Sequence, residues 1–322
     1  MKTLGLAQFV FNGLIDKNSS RWWNTLVLPF AKRLRMLIIE IFSDPAVVYQ
    51  YGQTKLFLPL SHDLPLYKKT LPNYSTNVAR IAVAIERKYP TLTIIDIGAN
   101  VGDTVLLLRE STQCPILCID GDPRFFSYLK QNSEKWDDVE LLQAFVGDKQ
   151  EVISGQITVG SGSGHIAEDR NGKNFIELRQ LRGILENHPR FAKPKLIKID
   201  TDGYDCRILR SELVLLQKLK PVIFFEYDPY FLAKTGDAGL SIFDDLASSG
   251  YQTLMFYMNT GEYMLSVDIN NIRLLEDLHH YFTGWKGHRY CDICAIHMDD
   301  SDIATSLRES EISFFQAARS LQ

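Results

Sequence analysis

From Thr91 onward the chain alternates two kinds of segment, and that alternation restricts its fold more than anything else in the sequence. TLTIID, PILCID, VELLQAFVGD, KLIKID and PVIFFEY are short aliphatic runs rich in β-branched residues. TVLLLRE, PRFFSYLKQNSE and DCRILRSELVLLQKL, placed between them, read as helices. Parallel strands need connections of about a dozen residues, which these helices supply. The expected fold is therefore α/β, a mostly parallel sheet with helices on both faces.

The remaining sequence frames this unit. Residues 1–75 form an N-terminal extension of apolar helical stretches and VVYQYGQTKLFLPL, which reads as two short strands around Gly52 and Gln53. SHDLPLYKKTLPNYS, with Pro65 and Pro72, is expected to be an irregular loop packed on a neighbour. The main domain spans residues 76–298. Its first helix carries Val78, Ile81, Ala82 and Ile85 at helical spacing, with a cap at Ser75 and a stop at Pro90. YQTLMFYMN and EYMLSV form an edge hairpin, NNIRLLEDLHHYF a further helix and YCDICAIH the last strand. Residues 299–322 are a polar, helical tail.

Of 322 residues, 45% are hydrophobic and 23% charged, values that argue against a disordered or low-complexity chain. Thirty-five Lys and Arg against 39 Asp and Glu give a net charge of −4, so a general nucleic-acid binder is disfavoured. Five cysteines, an odd number without the dense spacing of a disulfide scaffold, read as reduced thiols. The N-terminus lacks the pattern of a secretory signal. Leu26 to Phe42 is the most hydrophobic segment, but Lys32, Arg33, Arg35 and Glu40 interrupt it. It cannot supply a membrane span of ~20 apolar residues. One reading is a packed helix; the other is a helix on a membrane surface, where cations alternate with bulky apolar residues. The expected location is the cytoplasm, with the second reading adding peripheral contact with the inner face of a membrane through residues 26–42.

Ligands of a doubly wound sheet bind beyond the carboxyl ends of its strands, and here those ends are acidic. The first strand closes on Asp96, followed by Ile97, Gly98, Ala99, Asn100, Val101, Gly102 and Asp103; the second closes on Asp120, Gly121 and Asp122. Gly98 and Gly102 allow a tight turn, and the helix beginning near Asp103 directs amides toward a ligand. Asp120, 24 residues after Asp96, is placed to accept hydrogen bonds from ribose hydroxyls. The spacing lacks the G-x-G-x-x-G of a dinucleotide fold, and Asp96 would repel a pyrophosphate while attracting a cation. S-adenosylmethionine is such a cation, so these residues point to a class I methyltransferase.

IIDIGANVGDT, LCIDGDPRFF and LIKIDTDGYD, in that order, with PVIFFEY after them, resemble the FkbM-type family of S-adenosylmethionine-dependent methyltransferases over roughly residues 74–297. The resemblance implies a Rossmann-like class I fold with a seven-stranded sheet, S-adenosyl-L-methionine as cofactor, and methyl transfer to a hydroxyl of a sugar, glycan or related small molecule. It places Asp96, Gly98, Ala99, Asn100, Gly102, Asp103, Asp120 and Asp122 around the donor, with Asp96 on the methionine ammonium. Asp200, Asp202 and His165 are the candidates for a base at the acceptor hydroxyl. His165 follows the glycine-rich run Gly160 to Gly164, read as a loop over the pocket, and Asp202 has a second reading as a helix cap. Three positions depart from the family: Asp120-Gly121 replaces Glu-Pro, Asp202 replaces a Glu before the glycine, and Arg179 replaces an Asp.

His288, Cys291, Cys294 and His297 recur every three residues and invite a zinc reading. Alternation along a strand would send Cys291 and Cys294 to opposite faces, so no metal is expected there. Two other functions compete with methyl transfer. One is a noncatalytic adenosine- or sugar-binding component of a glycan assembly system; the other is a nicotinamide dehydrogenase, against which the glycine pattern counts.

Overall fold

The computed structural model describes residues 4–15, 28–160, 163–168, 175–283 and 289–319. Helices α1 (Gly5–Ile15) and α2 (Leu28–Ile41) precede an antiparallel hairpin, β1 (Ala46–Tyr51) and β2 (Thr54–Pro59), which turns at Gly52 and Gln53 as expected. The next stretch is not an irregular loop. Leu64–Thr70 forms helix α3, with Pro65 in the first turn, where a missing N–H costs no intrahelical bond. Helix α4 (Asn77–Lys88) follows, with Thr76 rather than Ser75 at its N-cap.

The main sheet takes β3 (Ile94–Ile97), β4 (Ile116–Asp120) and β5 (Val139–Gln143), with α5 (Asp103–Arg109) and α6 (Pro123–Ser133) between them. VELLQAFVGD then breaks after Gln143. Its second part, β6 (Phe145–Val146), joins a separate four-stranded sheet with β7 (Glu151–Gly160), β8 (Ser163–Glu168) and β9 (Phe175–Arg179), in the order β6-β9-β7-β8. The glycine-rich run thus lies largely in the β7–β8 hairpin instead of a free loop; residues 161–162 are outside the described residues. The chain returns through α7 (Leu181–Glu186) to β10 (Leu196–Ile199), α8 (Asp205–Ser211), α9 (Leu213–Leu219) and β11 (Val222–Tyr227). Helices α10 (Pro229–Lys234) and α11 (Ile242–Ser248) lead to the hairpin β12 (Tyr251–Met258) and β13 (Tyr263–Asp268). Helix α12 (Ile272–Thr283), β14 (Cys291–His297) and α13 (Ser301–Arg319) complete the chain.

The main sheet has the order β13-β12-β14-β11-β10-β3-β4-β5. The pairs from β11 to β5 are parallel and those involving β14, β12 and β13 antiparallel. Eight strands stand where seven were expected, because the turn at Asn259 to Gly261 folds β13 onto the outer edge of β12. Connections from β3 and from its neighbour β10 lead in opposite directions across the sheet. A crevice opens between such strands at their carboxyl ends, and Asp103, Asp120, Asp122, Asp200, Asp202, Glu226 and Asp292 collect there.

The parallel strands β3, β4, β10 and β11 are buried on both faces, while the edge strand β5 is only partly covered, and their side chains divide between two cores. Ile116 and Cys118 enter one; Leu117 and Ile119 enter the other. Phe11, Leu14, Leu56 and Leu58 belong to the first core together with Ile81 and Ile85 of α4, so the N-terminal residues pack into the same interior as the sheet. The tail helix does too. Ile303, Ala304 and Leu307 enter that core, and Glu311, fully buried, accepts two hydrogen bonds from the Arg80 guanidinium at 2.8 and 2.9 Å. Cys291 faces one core and Cys294 the other, as strand alternation requires, while His288 lies outside the described residues.

No helix among the described residues is long and apolar enough to cross a membrane. Helix α2 buries Ala31 and Ile38 and pairs Arg35 with Asp63 at 2.7 Å. The rest of its surface is unusual for water contact: Phe30, Met36, Leu37, Ile41 and Phe42 are exposed beside Lys32 and Arg33, and Leu6 and Phe9 of α1 are exposed as well. Residues 26 and 27 of the expected membrane segment are outside the described residues.

Candidate active site

A cavity of about 390 Å³ opens over the carboxyl ends of β3, β4, β10 and β11. That size suits a cofactor-sized molecule. Strand β3 ends in a turn whose own chain uses its amides: Gly98 and Ala99 both donate to the Ile119 carbonyl, at 2.9 and 3.1 Å. Asn100, at φ 49°, donates its N–H to Asp120 Oδ2 at 2.8 Å, and Asp122 donates to Asp120 Oδ1 at 2.9 Å. Asp120 is thus held in place through both oxygens, and each oxygen retains acceptor capacity for a hydroxyl group. Burial pushes its carboxyl up to about 6, against which these two backbone donors act.

Gly98 makes the close approach possible. Its φ is +78°, and a Cβ at this position would strike the carbonyl oxygen of Asp200 on the neighbouring strand end. The turn after β3 thus packs backbone to backbone against the end of β10, which a side chain would prevent, and Gly98 itself lines the cavity. Gly121 serves a different neighbour. A Cβ there would penetrate the Phe145 ring, so glycine after Asp120 is matched by an aromatic residue of β6 in the cavity wall.

The expected donor residues do not all reach the cavity. Gly98, Asn100, Asp103, Asp120 and Asp122 line it. Ala99 and Gly102 shape the turn from behind, Gly102 as the left-handed N-cap of α5. Asp122 devotes one carboxyl oxygen to capping α6, accepting from Arg124 N–H at 2.7 Å and from Phe125 N–H at 3.3 Å. Asp96 is fully buried and absent from the cavity wall, because Lys198 stands in front of it with Nζ 3.0 Å from Oδ1. Burial works against the Lys198 ammonium, but Asp96, Asp200 and Asp103 outweigh it and raise its pKa.

Asp200 and Asp202 line the cavity beside Lys198, whose Nζ is 3.6 Å from Asp200 Oδ2. Asp202 is not the helix cap. Tyr204 occupies the N-cap of α8, and Asp205 organises the loop by accepting from Thr201 Oγ1 at 3.0 Å and Gly203 N–H at 3.2 Å. Burial and then the adjacent Asp200 raise Asp202 to about 7. His165 is carried by β8, but its side chain lies outside the described residues; its neighbour Gly164 lines the cavity. Arg179, the third family departure, pairs with Glu177 at 3.2 Å near the surface.

Four contributors to the wall were not anticipated. His62, from the N-terminal region, is buried, receives the Leu64 N–H on Nδ1 at 3.2 Å and sits 3.3 Å from Asn100 Oδ1 through Nε2. Accepting at Nδ1 leaves the proton on Nε2, which donates to Asn100, and burial lowers this imidazole to about 4, keeping it neutral. Glu226 ends β11 and Asp292 lies near the start of β14; both face the cavity. Asn77 is the fourth, 1% exposed, with its side chain within hydrogen-bonding reach of Asp292. The rule that found Asp96, Asp120 and Asp200, an acid closing a strand, applies equally to Glu226 in PVIFFEY. Asp292 needs knowledge that β14 runs antiparallel, which places its beginning at the same edge.

The acids therefore form a row across neighbouring strand ends, from Asp120 through Asp200 to Glu226 and Asp292. Such a site favours a cation and can accept hydrogen bonds from hydroxyl groups. Its residues fit S-adenosylmethionine: the glycine turn at Gly98 for its methionine backbone, Asp120 for its ribose and the carboxyl-rich wall for its positive charge.

Residues 96–253 match the sequence profile of the Methyltransferase FkbM domain. No curated protein matches the chain significantly. Among solved structures, the chain is similar to an FkbM methyltransferase from Methylobacillus flagellatus KT, at 14% identity over 63% of this chain and 43% of that one, with a TM-score of 0.38. It is also similar to the N-methyltransferase NodS from Bradyrhizobium japonicum WM9 in complex with S-adenosyl-L-homocysteine, at 10% identity, 73% and 92% coverage and a TM-score of 0.40. A precorrin-6y C5,15-methyltransferase from Geobacter metallireducens GS-15 aligns at 14% identity, 67% and 86% coverage and a TM-score of 0.34. The domain match and the signature segments at the strand ends agree: residues 96–253 carry a Methyltransferase FkbM domain, and the protein is an S-adenosylmethionine-dependent methyltransferase.

Proposed function

We propose that the acceptor is a hydroxyl oxygen of a sugar, glycan or related small molecule. The observation that carries this reading is the stacked pair Tyr67 and Tyr74, ring centroids 5.3 Å apart at 27°, in the wall of the same cavity as Asp200, Asp202 and Glu226. Aromatic faces suit the C–H surface of a sugar ring, and carboxylates accept from its hydroxyls. The tyrosines come from residues that precede the main domain, which supports an acceptor-side role for the N-terminal extension.

The bound donor supplies an electrophilic methyl group on a sulfonium. The protein's part is to hold the acceptor oxygen in line with it and to receive the hydroxyl proton. Orientation carries most of the rate, and a positioned base adds typically 10²- to 10⁴-fold. Asp200, half exposed at the end of β10, is our choice for the group that orients or deprotonates the hydroxyl.

Calorimetry with S-adenosylmethionine and its demethylated product tests the donor site. Transfer of labelled methyl into cell extracts, with mass spectrometry of the product, tests the acceptor; a methylated nitrogen or carbon would overturn the O-methyl assignment. Asp200→Asn should keep donor affinity within about 1 kcal/mol while turnover falls at least ~100-fold. Turnover within a few-fold of the unmodified protein would remove Asp200 from the reaction.

We also propose peripheral contact of α1 and α2 with an anionic membrane, supported by their exposed apolar residues interspersed with Lys32 and Arg33. Co-sedimentation with anionic but not with neutral vesicles is expected. Concentration-dependent dimerisation without vesicle binding would assign the same face to a second copy.

A further inference from the structure

Glu226 and Asp292 are opposite each other in the β11–β14 register, so their side chains leave the same face of the sheet side by side. Both line the cavity. Glu226 Oε2 is closed off from bulk water and accepts no hydrogen bond among the described residues, while the Asn77 side chain in the same wall lies within hydrogen-bonding reach of Asp292. Two carboxyls side by side on one sheet face and largely withdrawn from water resist ionising together without a cation. The cation in that wall, Lys198, is engaged by Asp96 at 3.0 Å.

We propose, resting on the methyltransferase reading above, that Glu226 and Asp292 read the charge of the methyl donor. The pair gives up a proton when a sulfonium ligand enters the cavity and takes one back when the uncharged thioether product replaces it. Burial and Asp200 raise both groups, Asp292 to about 8 and Glu226 well above its ordinary range. The other charged or titratable groups acting on the pair are Asp202 and Asp205 from the loop and start of α8, Lys198 from β10, Cys291 from β14, and Tyr74 and Tyr290 from the cavity wall, while a hydrogen bond with Asn77 works against the rise at Asp292. A positive charge within about 4–6 Å lowers a carboxyl pKa by about 1–3 units, enough to move a group poised there across neutrality. After transfer the sulfur is neutral, the pair reprotonates, and the product is no longer held by charge.

The test is isothermal calorimetry of the full-length protein with S-adenosylmethionine and with S-adenosylhomocysteine, at about pH 7.5, in phosphate and in Tris. Comparing two buffers of different ionisation enthalpy counts the protons released on binding. The two ligands share ribose, adenine and amino-acid groups, so a difference between them isolates the sulfonium. The expected result is about one more proton released by S-adenosylmethionine, and a preference for it over the product that grows as pH rises. Glu226→Gln or Asp292→Asn should abolish the difference. Equal proton release by both ligands overturns the proposal on the unmodified protein alone, without recourse to the variants. Binding of neither ligand overturns the methyltransferase reading itself and is a distinct outcome.

Discussion

Replacing Asp96 by Asn separates a structural carboxylate from a ligand-binding one. In the folded protein Asp96 is fully buried, its Oδ1 lies 3.0 Å from Lys198 Nζ, and its Oδ2 has no partner among the described residues. Lys198 is itself buried, and its other carboxylate contact is Asp200 at 3.6 Å. Asn keeps the shape but removes the charge, leaving a buried ammonium short of its nearest counterion. Breaking a buried pair in this way costs about 3–5 kcal/mol. With about 2–4 °C lost per kcal/mol in a domain of this size, the melting temperature should fall by about 6–20 °C. Donor affinity should change by less than about tenfold, since the Asp96 carboxylate is behind the cavity wall. Thermal scanning and calorimetry on the same preparation give both quantities. An unchanged melting temperature together with a much weakened donor would refute this reasoning and return Asp96 to the methionine ammonium.

Three further outcomes follow from the geometry. Gly98→Ala sets a Cβ against the Asp200 carbonyl and places a side chain at φ +78°, which costs about 1–2 kcal/mol from the backbone conformation alone and forces the ends of β3 and β10 apart; donor titration should show at least ~10-fold weaker binding, and unchanged affinity would disprove that this close approach shapes the donor site. Glu311→Ala strands the Arg80 guanidinium and should destabilise by about 3–5 kcal/mol, with limited proteolysis near α13 accelerated; Arg80→Ala on top of it should add less than the sum of the two single changes. Asp292 has its carboxyl at about 8 in the folded chain against 3.8 in the reference state, so the folded form binds that proton more tightly and the group withdraws stability as pH rises between those values. Asp292→Asn should therefore gain melting temperature relative to the unmodified protein between about pH 5 and about pH 8.5, and a constant difference in unfolding scans would contradict the burial of this carboxyl.

The sheet could be read from the sequence because its central parallel strands are buried on both sides, which leaves short aliphatic runs closed by acids. Asp120 and Asp200 were visible for the same reason. What escaped notice depends on contacts between distant segments. Nothing local in VELLQAFVGD shows that Phe145 departs to pair with Leu178. LPLYKKT is helical despite its proline because that residue falls in the first turn, and its Tyr67 meets Tyr74 only after the chain has folded over the cavity. Asp96 obeyed the strand-end rule and still failed to reach the cavity, since its side chain meets Lys198, which is 102 residues away. His62 and Asn77 carry no motif at all; their place in the wall comes from packing of the N-terminal region against β3 and β4.

Strand β14 gives this protein an internal pair of reporters. It lies between β11 and β12, and it delivers the thiol of Cys294 to one core and that of Cys291 to the other, both fully buried. A thiol reagent can reach either sulfur only when the layer covering it opens. Labelling rates measured separately at the two positions, under conditions where the native state dominates, would show whether the helices on the two sides of the sheet detach together or in succession. A single common rate would mean one cooperative unit from the first helix to the last. Two rates would mean that the layer formed by the N-terminal region and α13 has a lifetime of its own, independent of the side that holds α8, α11 and α12.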